Sequence, residues 1–415
     1  MKTLSKNPSN PGFHDSLWYE TAAPAPETST LEAQVSTDVI VIGGGFTGMS
    51  TALHLAKRGI RSVVLESAEI GYGGSGRNQG HCTPTFMYYT PSGVVRELGP
   101  LWGPRMVDLQ ANAAKLVFEL IREHGIDCEG SQHGFVQAAH MPTTVDRLKG
   151  LVDEYSRIGQ SCRFLDRKEI EEITGSPRYY GGWFLESGGH VNPLGYVRGL
   201  ARAAIGLGAQ VYTRSPVTLL DREGTRWVAK TARGSVTGDK VVIATDAYSG
   251  DLLSKLRRSV FIMTSYNVAT PPLPPEVLAS VLPRRNHVAD TRRDTQYYRL
   301  DAAGRFVTGS VVSGRRGVDI EYSMQKMRER IQWIFPQISD LHWKWFWRGD
   351  ISMTPNLLPR VFDVAPGVVS GLGYSGRGVP TATAMGRLLA SLAAGDAADT
   401  QPIEVKPLRP LLARS

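Results

Sequence analysis

Apolar residues along this chain first become regular at Asp38. The run Asp38–Ile42 is short, apolar and followed by glycines, which is typical of a buried parallel strand. Residues 46–58 then have helical spacing, and residues 62–65 form a second apolar run. One face of the helical stretch carries Met49, Ala52, Leu53 and Ala56. The pattern predicts a strand-helix-strand unit that opens an α/β domain.

The rest of the chain shows further periodic segments and one irregular segment. Residues 255–345 have the pattern of a second sheet. Residues 1–35 are rich in Pro, Ser, Thr and Ala, so we expect an extended arm, with Trp18 and Tyr19 as possible anchors. Helices are predicted at about 104–124, 193–206, 322–334 and 378–395, and strands at 210–212, 227–231, 235–237 and 240–245.

Composition places the chain among ordinary globular proteins. Its 415 residues suit two joined domains, and 41% of them are hydrophobic and 21% charged. The formal charge of +8 has two interpretations: a mildly basic protein, or attraction of an anionic ligand. Residues 281–330 favour the second, because ten Arg and one Lys stand against six acidic residues there, a local net of +5.

Three widely spaced cysteines, Cys82, Cys128 and Cys162, include no CxxC pair and no Cys/His cluster. We therefore expect no disulfide framework and no metal site, and a reducing, cytoplasmic setting. The first residues contain no apolar core of a secretory signal. No long uncharged apolar window is present, so no transmembrane helix is expected.

A glycine-rich turn follows the first strand. The turn reads Gly43-Gly44-Gly45-Phe46-Thr47-Gly48, opens the predicted helix, and is followed after the second strand by Glu66. Glycines here permit a tight turn, close approach of backbone amides to a pyrophosphate, and close packing of the helix on the strand. The carboxylate of Glu66 can accept both ribose hydroxyls of a dinucleotide. This motif alone leaves FAD and NAD as alternatives.

Four further segments, spread over nearly the whole of residues 38–395, also resemble motifs of a known family. Their sequences are Gly73-Gly-Ser-Gly-Arg-Asn78, Gly189-His-Val-Asn-Pro193, Ser215-Pro-Val217 with Lys240–Thr245, and Gly373-Tyr-Ser-Gly-Arg-Gly378. Together they resemble the D-amino acid oxidase family of flavoproteins, which includes glycine oxidase and sarcosine oxidase. The first segment most resembles the branch that contains γ-glutamylputrescine oxidase.

The resemblance implies FAD as cofactor and a fold of the glutathione-reductase type. The fold class is α/β, with a Rossmann-like FAD-binding domain and a discontinuous α+β substrate domain built on an antiparallel sheet. The implied FAD contacts are Gly43, Gly45, Phe46, Thr47, Gly48, Glu66, Ser67, Gly74, Ser75, Arg77, Asn78, Gln79, Val217, Ala244, Thr245, Gly373, Tyr374, Ser375, Gly376 and Gly378. The FAD-binding domain would comprise 36–92, 184–253 and 345–395, the substrate domain 93–183 and 254–344, and the tail 396–415.

Family chemistry implies oxidation of an amine C–N bond by hydride transfer to the flavin, with dioxygen or another acceptor taking the electrons. The substrate would be a small amine or amino acid, with or without a carboxylate. Candidate residues around it are His81, Tyr266, Tyr297, Tyr298, Arg299 and Trp347, although each Tyr also suits a core position. His81 has three interpretations: a substrate contact, a covalent link to the flavin, or a cap of its loop.

Two departures from the family pattern bear on the substrate and on the electron acceptor. Ile351 stands where the resemblance predicts the arginine that grips an α-carboxylate, with Arg348 nearby. No lysine occurs between Lys255 and Lys326, whereas sarcosine oxidase-like members carry one that promotes the oxygen reaction. Alternatives therefore stay open: a dehydrogenase with another acceptor, an NAD enzyme, a tRNA-modifying flavoenzyme, or a non-catalytic flavin protein. No nucleic-acid partner is expected, because nothing resembles an RNA-binding module.

Overall fold

A computed structural model describes residues 12–250, 254–292, 294–312 and 319–409. The helices in chain order are Leu17–Thr21 (α1), Phe46–Lys57 (α2), Pro91–His124 (α3), Val145–Arg157 (α4), Arg167–Thr174 (α5), Pro193–Gly206 (α6), Ser254–Arg257 (α7), Pro275–Leu278 (α8), Ile320–Ile334 (α9) and Gly378–Ala393 (α10). The strands are Gln34–Ser36 (β1), Val39–Ile42 (β2), Ser62–Leu65 (β3), His81–Cys82 (β4), Phe135–Ala138 (β5), Cys162–Leu165 (β6), Gly182–Leu185 (β7), Gly189–His190 (β8), Gln210–Tyr212 (β9), Leu219–Glu223 (β10), Arg226–Lys230 (β11), Ser235–Gly238 (β12), Lys240–Ile243 (β13), Phe261–Pro272 (β14), His287–Asp290 (β15), Tyr297–Leu300 (β16), Arg305–Val311 (β17), Trp345–Met353 (β18), Arg360–Ala365 (β19), Val368–Leu372 (β20) and Val405–Pro407 (β21).

A seven-stranded sheet forms around the first apolar strand, in the order β21-β19-β20-β13-β2-β3-β9. Strands β20, β13, β2, β3 and β9 run parallel, and every residue of β2 and β3 is buried. Continuous apolar runs are required there because both faces of a central parallel strand are covered. Helix α2 packs against α10 and α6 on one face, and the small sheet β1-β12-β11-β10 contributes to the core on the other.

An eight-stranded sheet forms the second layer, in the order β18-β14-β17-β16-β15-β5-β7-β6. Its long strands β14, β17 and β18 are antiparallel neighbours, as the resemblance predicts. One face packs on α5 and α9 through a separate apolar core that contains Ile170, Met327 and Ile331. The opposite face carries the polar and aromatic residues described below.

The N-terminal segment differs from the predicted extended arm. Phe13, Leu17 and Trp18 are buried, and they belong to the largest hydrophobic core. Residues 34–36 pair in parallel with β12. Apolar spacing over this short stretch outweighs the disorder-prone composition around it, because burial of a Trp and a Leu offsets the entropy of ordering a few residues. Residues 1–11 of the arm lie outside the described residues.

Two further segments lie elsewhere than predicted. Strand β18, expected within the FAD-binding segment 345–395, is hydrogen-bonded to β14 in the eight-stranded sheet. Strand β21, expected in the tail 396–415, pairs with β19 at the edge of the seven-stranded sheet. Helix α3 also begins well before residue 104. It continues across a kink at Gly99, where φ is +79°, so the Gly and Pro residues there redirect the helix rather than start it.

In the described part of the chain, none of the helices combines the length and the apolar character that crossing a bilayer requires.

Candidate active site

The glycine-rich turn shapes one end of a cavity of about 740 Å³ between the two large sheets. Gly43 has a φ of +110°, and a Cβ there would lie 2.8 Å from the Ala244 carbonyl oxygen. A Cβ on Gly48 would lie 1.9 Å from the Gly43 oxygen, so only glycine lets α2 pack this close to the turn. The amide of Phe46 at the start of α2 donates to Ser75 Oγ at 2.9 Å. Backbone and helix N-terminus thus line a concave surface suited to phosphate.

Glu66 is fixed beside this turn. Its Oε2 accepts from the Gly44 amide at 2.6 Å, and its Oε1 accepts from the Ala68 amide at 2.8 Å and from Ser67 Oγ at 3.1 Å. The side chain is buried except where it borders the cavity. A carboxylate has about four lone-pair sites, so Oε2 retains acceptor capacity for a hydroxyl group of a ligand.

The loop after β3 is held by its own hydrogen bonds and by distant side chains. The side-chain nitrogen Nδ2 of Asn78 donates to the carbonyls of Gly74 and Ser75, at 3.0 and 2.9 Å. Three successive carbonyls of the loop accept from outside it: Arg77 O from Asn267 Nδ2 and Trp347 Nε1, Asn78 O from Trp18 Nε1, and Gln79 O from Arg299 Nε, at 2.7–3.0 Å. The loop is therefore fixed against both the sheet and the N-terminal helix.

One row of residues across the eight-stranded sheet faces the cavity. Strand pairing places Gln137, Ala289, Tyr297, Gly309 and Asn267 side by side. All of them except Gly309 line the cavity, and a Cβ on Gly309 would lie 3.1 Å from the Tyr297 hydroxyl. Since side chains alternate along a strand, the residues next to this row point into the core behind the sheet.

His81 lies at this end of the cavity, on β4. Its ring centre is 4.6 Å from that of His287 and 5.9 Å from that of Tyr297. Burial, followed by the nearby His287 and Arg299, holds the pKa of His81 well below its usual value, so the imidazole is neutral at pH 7. Its Nε2 is buried and has no hydrogen-bond partner among the described residues.

Residues 38–392 match the model of the DAO family, whose description is "FAD dependent oxidoreductase". The chain belongs to this family. Gamma-glutamylputrescine oxidoreductase of Escherichia coli is 32% identical over 390 residues, which are 92% of this chain and 90% of that protein. The probable oxidoreductase OrdL of Haemophilus influenzae is 32% identical over 86% of this chain and 83% of its own. The predicted family and cofactor, FAD, are confirmed.

Solved structures support the same fold. Glycine oxidase from Geobacillus kaustophilus superposes with a TM-score of 0.72 at 21% identity, covering 88% of this chain and 96% of that one. L-amino acid deaminase from Proteus vulgaris gives 0.74 at 19% identity, covering 97% of both chains. The predicted fold class is confirmed by these neighbours and by the two-sheet architecture.

The cavity fits FAD at both of its ends. The glycine turn and Glu66 suit the pyrophosphate and ribose. At the other end, both amide atoms of Gln79, Nε2 of His81 and Oδ1 of Asn267 are buried and have no hydrogen-bond partner among the described residues. Buried polar atoms are normally paired, so these atoms indicate a ligand with donors and acceptors of its own, as a flavin ring and a substrate have.

Most residues predicted to contact FAD border the cavity. They are Gly43, Gly45, Phe46, Thr47, Glu66, Ser67, Gly74, Ser75, Arg77, Asn78, Gln79, Val217, Ala244, Thr245, Tyr374, Gly376 and Gly378. Gly48, Gly373 and Ser375 do not border it. The Gly373 amide donates to Asp246 and the Ser375 amide to Ser352, so both residues shape the turn before α10 from behind.

Two predicted substrate contacts, Tyr266 and Tyr298, lie on the other face of the sheet, which corrects the expectation. Tyr298 is fully buried, and its hydroxyl is 2.7 Å from that of Tyr179. Tyr266 stacks on Phe346 in the core beside α9. Each tyrosine is the chain neighbour of a residue that does border the cavity: Tyr298 follows Tyr297, and Tyr266 precedes Asn267. The adjacent tyrosines Tyr297 and Tyr298 therefore face opposite sides of the sheet, the first towards the cavity and the second towards the core.

Arg299 and Trp347 are on the correct face of the sheet but do not reach the cavity, a second correction. The Arg299 guanidinium also donates to the Val191 carbonyl at 2.9 Å and is fully buried. Trp347 is fully buried, with its ring 5.7 Å from that of Trp18. Both side chains hold the loop that lines the cavity, so they are positioning residues.

Sequence reasoning missed Asn267 and Arg377, which both border the cavity. Asn267 carries no local signal, because only the pairing of β14 within the sheet decides whether it or its neighbour Tyr266 faces the cavity. Arg377 lies within the quoted segment 373–378, in which only the other residues are predicted to contact FAD. Ile351 does border the cavity, whereas Arg348 lies against Phe346 on the opposite face of β18.

Proposed function

We propose that this protein oxidises the C–N bond of a small amine or amino acid. The name of its relative, gamma-glutamylputrescine oxidoreductase, supports redox chemistry on an amine compound. The observation that carries the proposal is one continuous cavity, which joins a dinucleotide cradle at Glu66 to a row of unpaired polar groups at His81 and Asn267. Iminodiacetate oxidase from Chelativorans, a structural neighbour with a TM-score of 0.72, also has a name that indicates amine oxidation.

FAD, when bound, supplies the two-electron acceptor for this oxidation. We assign its pyrophosphate to the turn at Gly43 and Gly45, and its ribose to Glu66. Val217, Ala244 and Thr245 border the same end of the cavity. The N-terminus of α10, with Gly376 and Gly378, offers backbone N–H groups and a positive dipole end to a group that gains negative charge.

The residues around His81 prepare the substrate. An amine must be neutral before its C–H bond can give up a hydride, and a poorly hydrated pocket disfavours the ammonium form. The unpaired Nε2 of the neutral His81 can form a hydrogen bond with that amine. Tyr297 and Asn267 border the same space and can orient the substrate over the flavin.

The electron acceptor has two candidates. Dioxygen, giving hydrogen peroxide, is the first, in line with the family's oxidases. A dehydrogenase with another acceptor is favoured by one observation: no lysine is among the described residues that line the cavity. We further propose a reducing, cytoplasmic setting, because Cys82, Cys128 and Cys162 are all free thiols.

A single experiment separates these possibilities. The purified yellow protein is mixed without oxygen with putrescine, N-acylated diamines and N-methyl amino acids, and the flavin absorbance is followed. Bleaching by at least one amine is the expected result. Air is then admitted: recovery of the absorbance with release of hydrogen peroxide identifies an oxidase, and recovery only with an artificial acceptor identifies a dehydrogenase. No bleaching with any amine would contradict the proposal.

A further inference from the structure

Arg377 is a cationic side chain at the cavity that no carboxylate neutralises. It stands at the N-terminal boundary of α10, and it lines the cavity together with its neighbours Gly376 and Gly378. Its Nε donates to the Thr85 carbonyl at 3.2 Å, which leaves the terminal nitrogens of the guanidinium available. No carboxylate of the described residues lies within ion-pair distance of it.

Buried arginines of the described residues are satisfied in two ways: Arg299 and Arg198 donate to backbone carbonyls, and two others pair with carboxylates. Arg292 and Arg305, both largely buried, are paired with Asp290 and Asp301 respectively. Burial lowers the pKa of Arg377 to about 10, and only Tyr155 and Tyr88 act against it. The guanidinium remains charged at neutral pH, yet its charge is poorly solvated, and such a charge normally has an anionic partner.

The other arginine among the described residues that line the cavity is Arg77, which belongs to the loop assigned to FAD. Arg77 donates to the Tyr72 carbonyl and lies over the Tyr72 ring. Asp294 is paired with Arg330 at 2.6 Å. His81 is neutral. Arg377 is therefore the arginine of the lining whose charge acts at the substrate end, beside His81.

The position of Arg377 connects it with the substrate end of the cavity. Its charge acts on His81 and His287, and it bonds to the segment that includes Thr85 and Met87. A Cβ on Gly376 would lie 2.8 Å from Met87 Cε, so this turn packs directly on that segment. The pyrophosphate cradle at Gly43 belongs to a different turn, so the phosphates of the cofactor leave Arg377 without a partner.

We propose that Arg377 binds a carboxylate of the substrate and thereby selects amines that carry one. The assignment rests on the proposed function and deepens it. Ile351 is apolar and Arg348 lies behind the sheet, so neither contributes a cation at the cavity. Anion binding is placed instead on the turn before α10, where helix N–H groups add to the attraction.

Calorimetric titration of the FAD-loaded protein with glutarate, and with its neutral diamide glutaramide, tests this assignment. The wild-type protein should bind glutarate more tightly than glutaramide. Arg377→Met should raise the Kd for glutarate roughly tenfold to a hundredfold and leave that for glutaramide unchanged. Arg377→Lys should retain part of the preference, and it serves if the Met variant does not fold. Arg360→Met, which removes another partly buried arginine that is not among the residues lining the cavity, is the matched control and should leave both affinities unchanged.

Equal glutarate affinity in the wild-type and Arg377→Met proteins would overturn the assignment, and so would equal affinity of the wild type for both probes. A lowered flavin midpoint potential with unchanged glutarate affinity would assign Arg377 to the flavin instead, and would also overturn it. If no amine bleaches the flavin, but Arg377→Met still binds glutarate more weakly than the wild type does, the carboxylate site stands and the proposed reaction fails.

Discussion

The guanidinium carbon of Arg299 lies 4.7 Å from the centre of the Trp18 ring. This contact joins the N-terminal helix to the eight-stranded sheet, and both side chains donate to successive carbonyls of the loop that borders the cavity. A planar guanidinium on an indole face combines dispersion with cation–π attraction, and the carbonyls satisfy its donors. Structural support of the site therefore comes from residues distant in sequence.

Replacement of the N-terminal anchor should destabilise the whole protein. Trp18→Ala removes a fully buried ring and leaves the Asn78 carbonyl without its donor. We expect the free energy of unfolding to fall by about 3–5 kcal/mol, as for other buried Trp truncations. Urea denaturation measures this. Tyr19→Ala, at a neighbouring side chain that is 39% exposed, should cost less than about 1 kcal/mol, and an equal loss in both variants would contradict the role of Trp18.

The adjacent tyrosines of β16 should have opposite phenotypes. Tyr297→Phe removes a hydroxyl that faces the cavity, so kcat/KM should fall about tenfold with little change in stability. Tyr298→Phe removes the hydrogen bond to Tyr179 and should cost about 1 kcal/mol of stability with unchanged kinetics. Steady-state kinetics measure kcat/KM of both variants, and thermal unfolding measures their stability. A kinetic defect confined to Tyr298→Phe would reverse the assigned phase of the strand.

Cofactor affinity should depend on Glu66. Glu66→Gln keeps the size of the side chain but loses the charge that draws two backbone amides and the ribose hydroxyls. The Kd for FAD should rise about tenfold or more, because hydrogen bonds to charged groups contribute about 1.5–3 kcal/mol. Fluorescence titration of apoprotein with FAD provides the measurement. Glu69→Gln, at an exposed carboxylate bonded to His14, is the control and should bind FAD normally.

Buried histidines should make the protein sensitive to acid. Burial, followed by the charges of Arg299 and Arg377, lowers the pKa of His287 from 6.5 to about 3. Below about pH 6.5 the unfolded chain binds a proton that the folded protein excludes, so stability falls continuously until the pH reaches about 3. Between pH 7 and pH 5 this one group should cost about 2 kcal/mol.

His287→Asn tests the origin of that acid sensitivity. The variant keeps a hydrogen-bonding group near Thr83 but has no titrating ring. Its loss of unfolding free energy between pH 7 and pH 5 should be smaller than that of the wild type by about 2 kcal/mol. Parallel pH profiles for His287→Asn and the wild type would show that His287 does not cause the effect.

Much of the dinucleotide-binding layer could be predicted from the sequence. Helix α6 and strands β3 and β9 have the bounds that periodicity predicted. These segments are buried on both faces or on one regular helical face, so their patterns are strong. The glycine turn was predictable for a steric reason, since a side chain at Gly43 or Gly48 would collide with backbone.

The substrate side was less predictable because strand phase is not encoded in one strand alone. Adjacent residues Tyr297 and Tyr298 are both aromatic, and only the layers packed on each face decide which one meets the cavity. Arg299 was expected to bind substrate because of its charge, but backbone carbonyls already satisfy it. Those carbonyls belong to segments distant in sequence, so the residues next to Arg299 in the chain do not predict them.

The carbonyls of Arg77, Asn78 and Gln79 accept from residues as far along the chain as Arg299 and Trp347. During synthesis, the loop that contains these carbonyls cannot form its long-range hydrogen bonds until the donors have been translated. We therefore expect flavin capture to occur after translation of most of the polypeptide. Nascent chains that stop before residue 345 should emerge colourless.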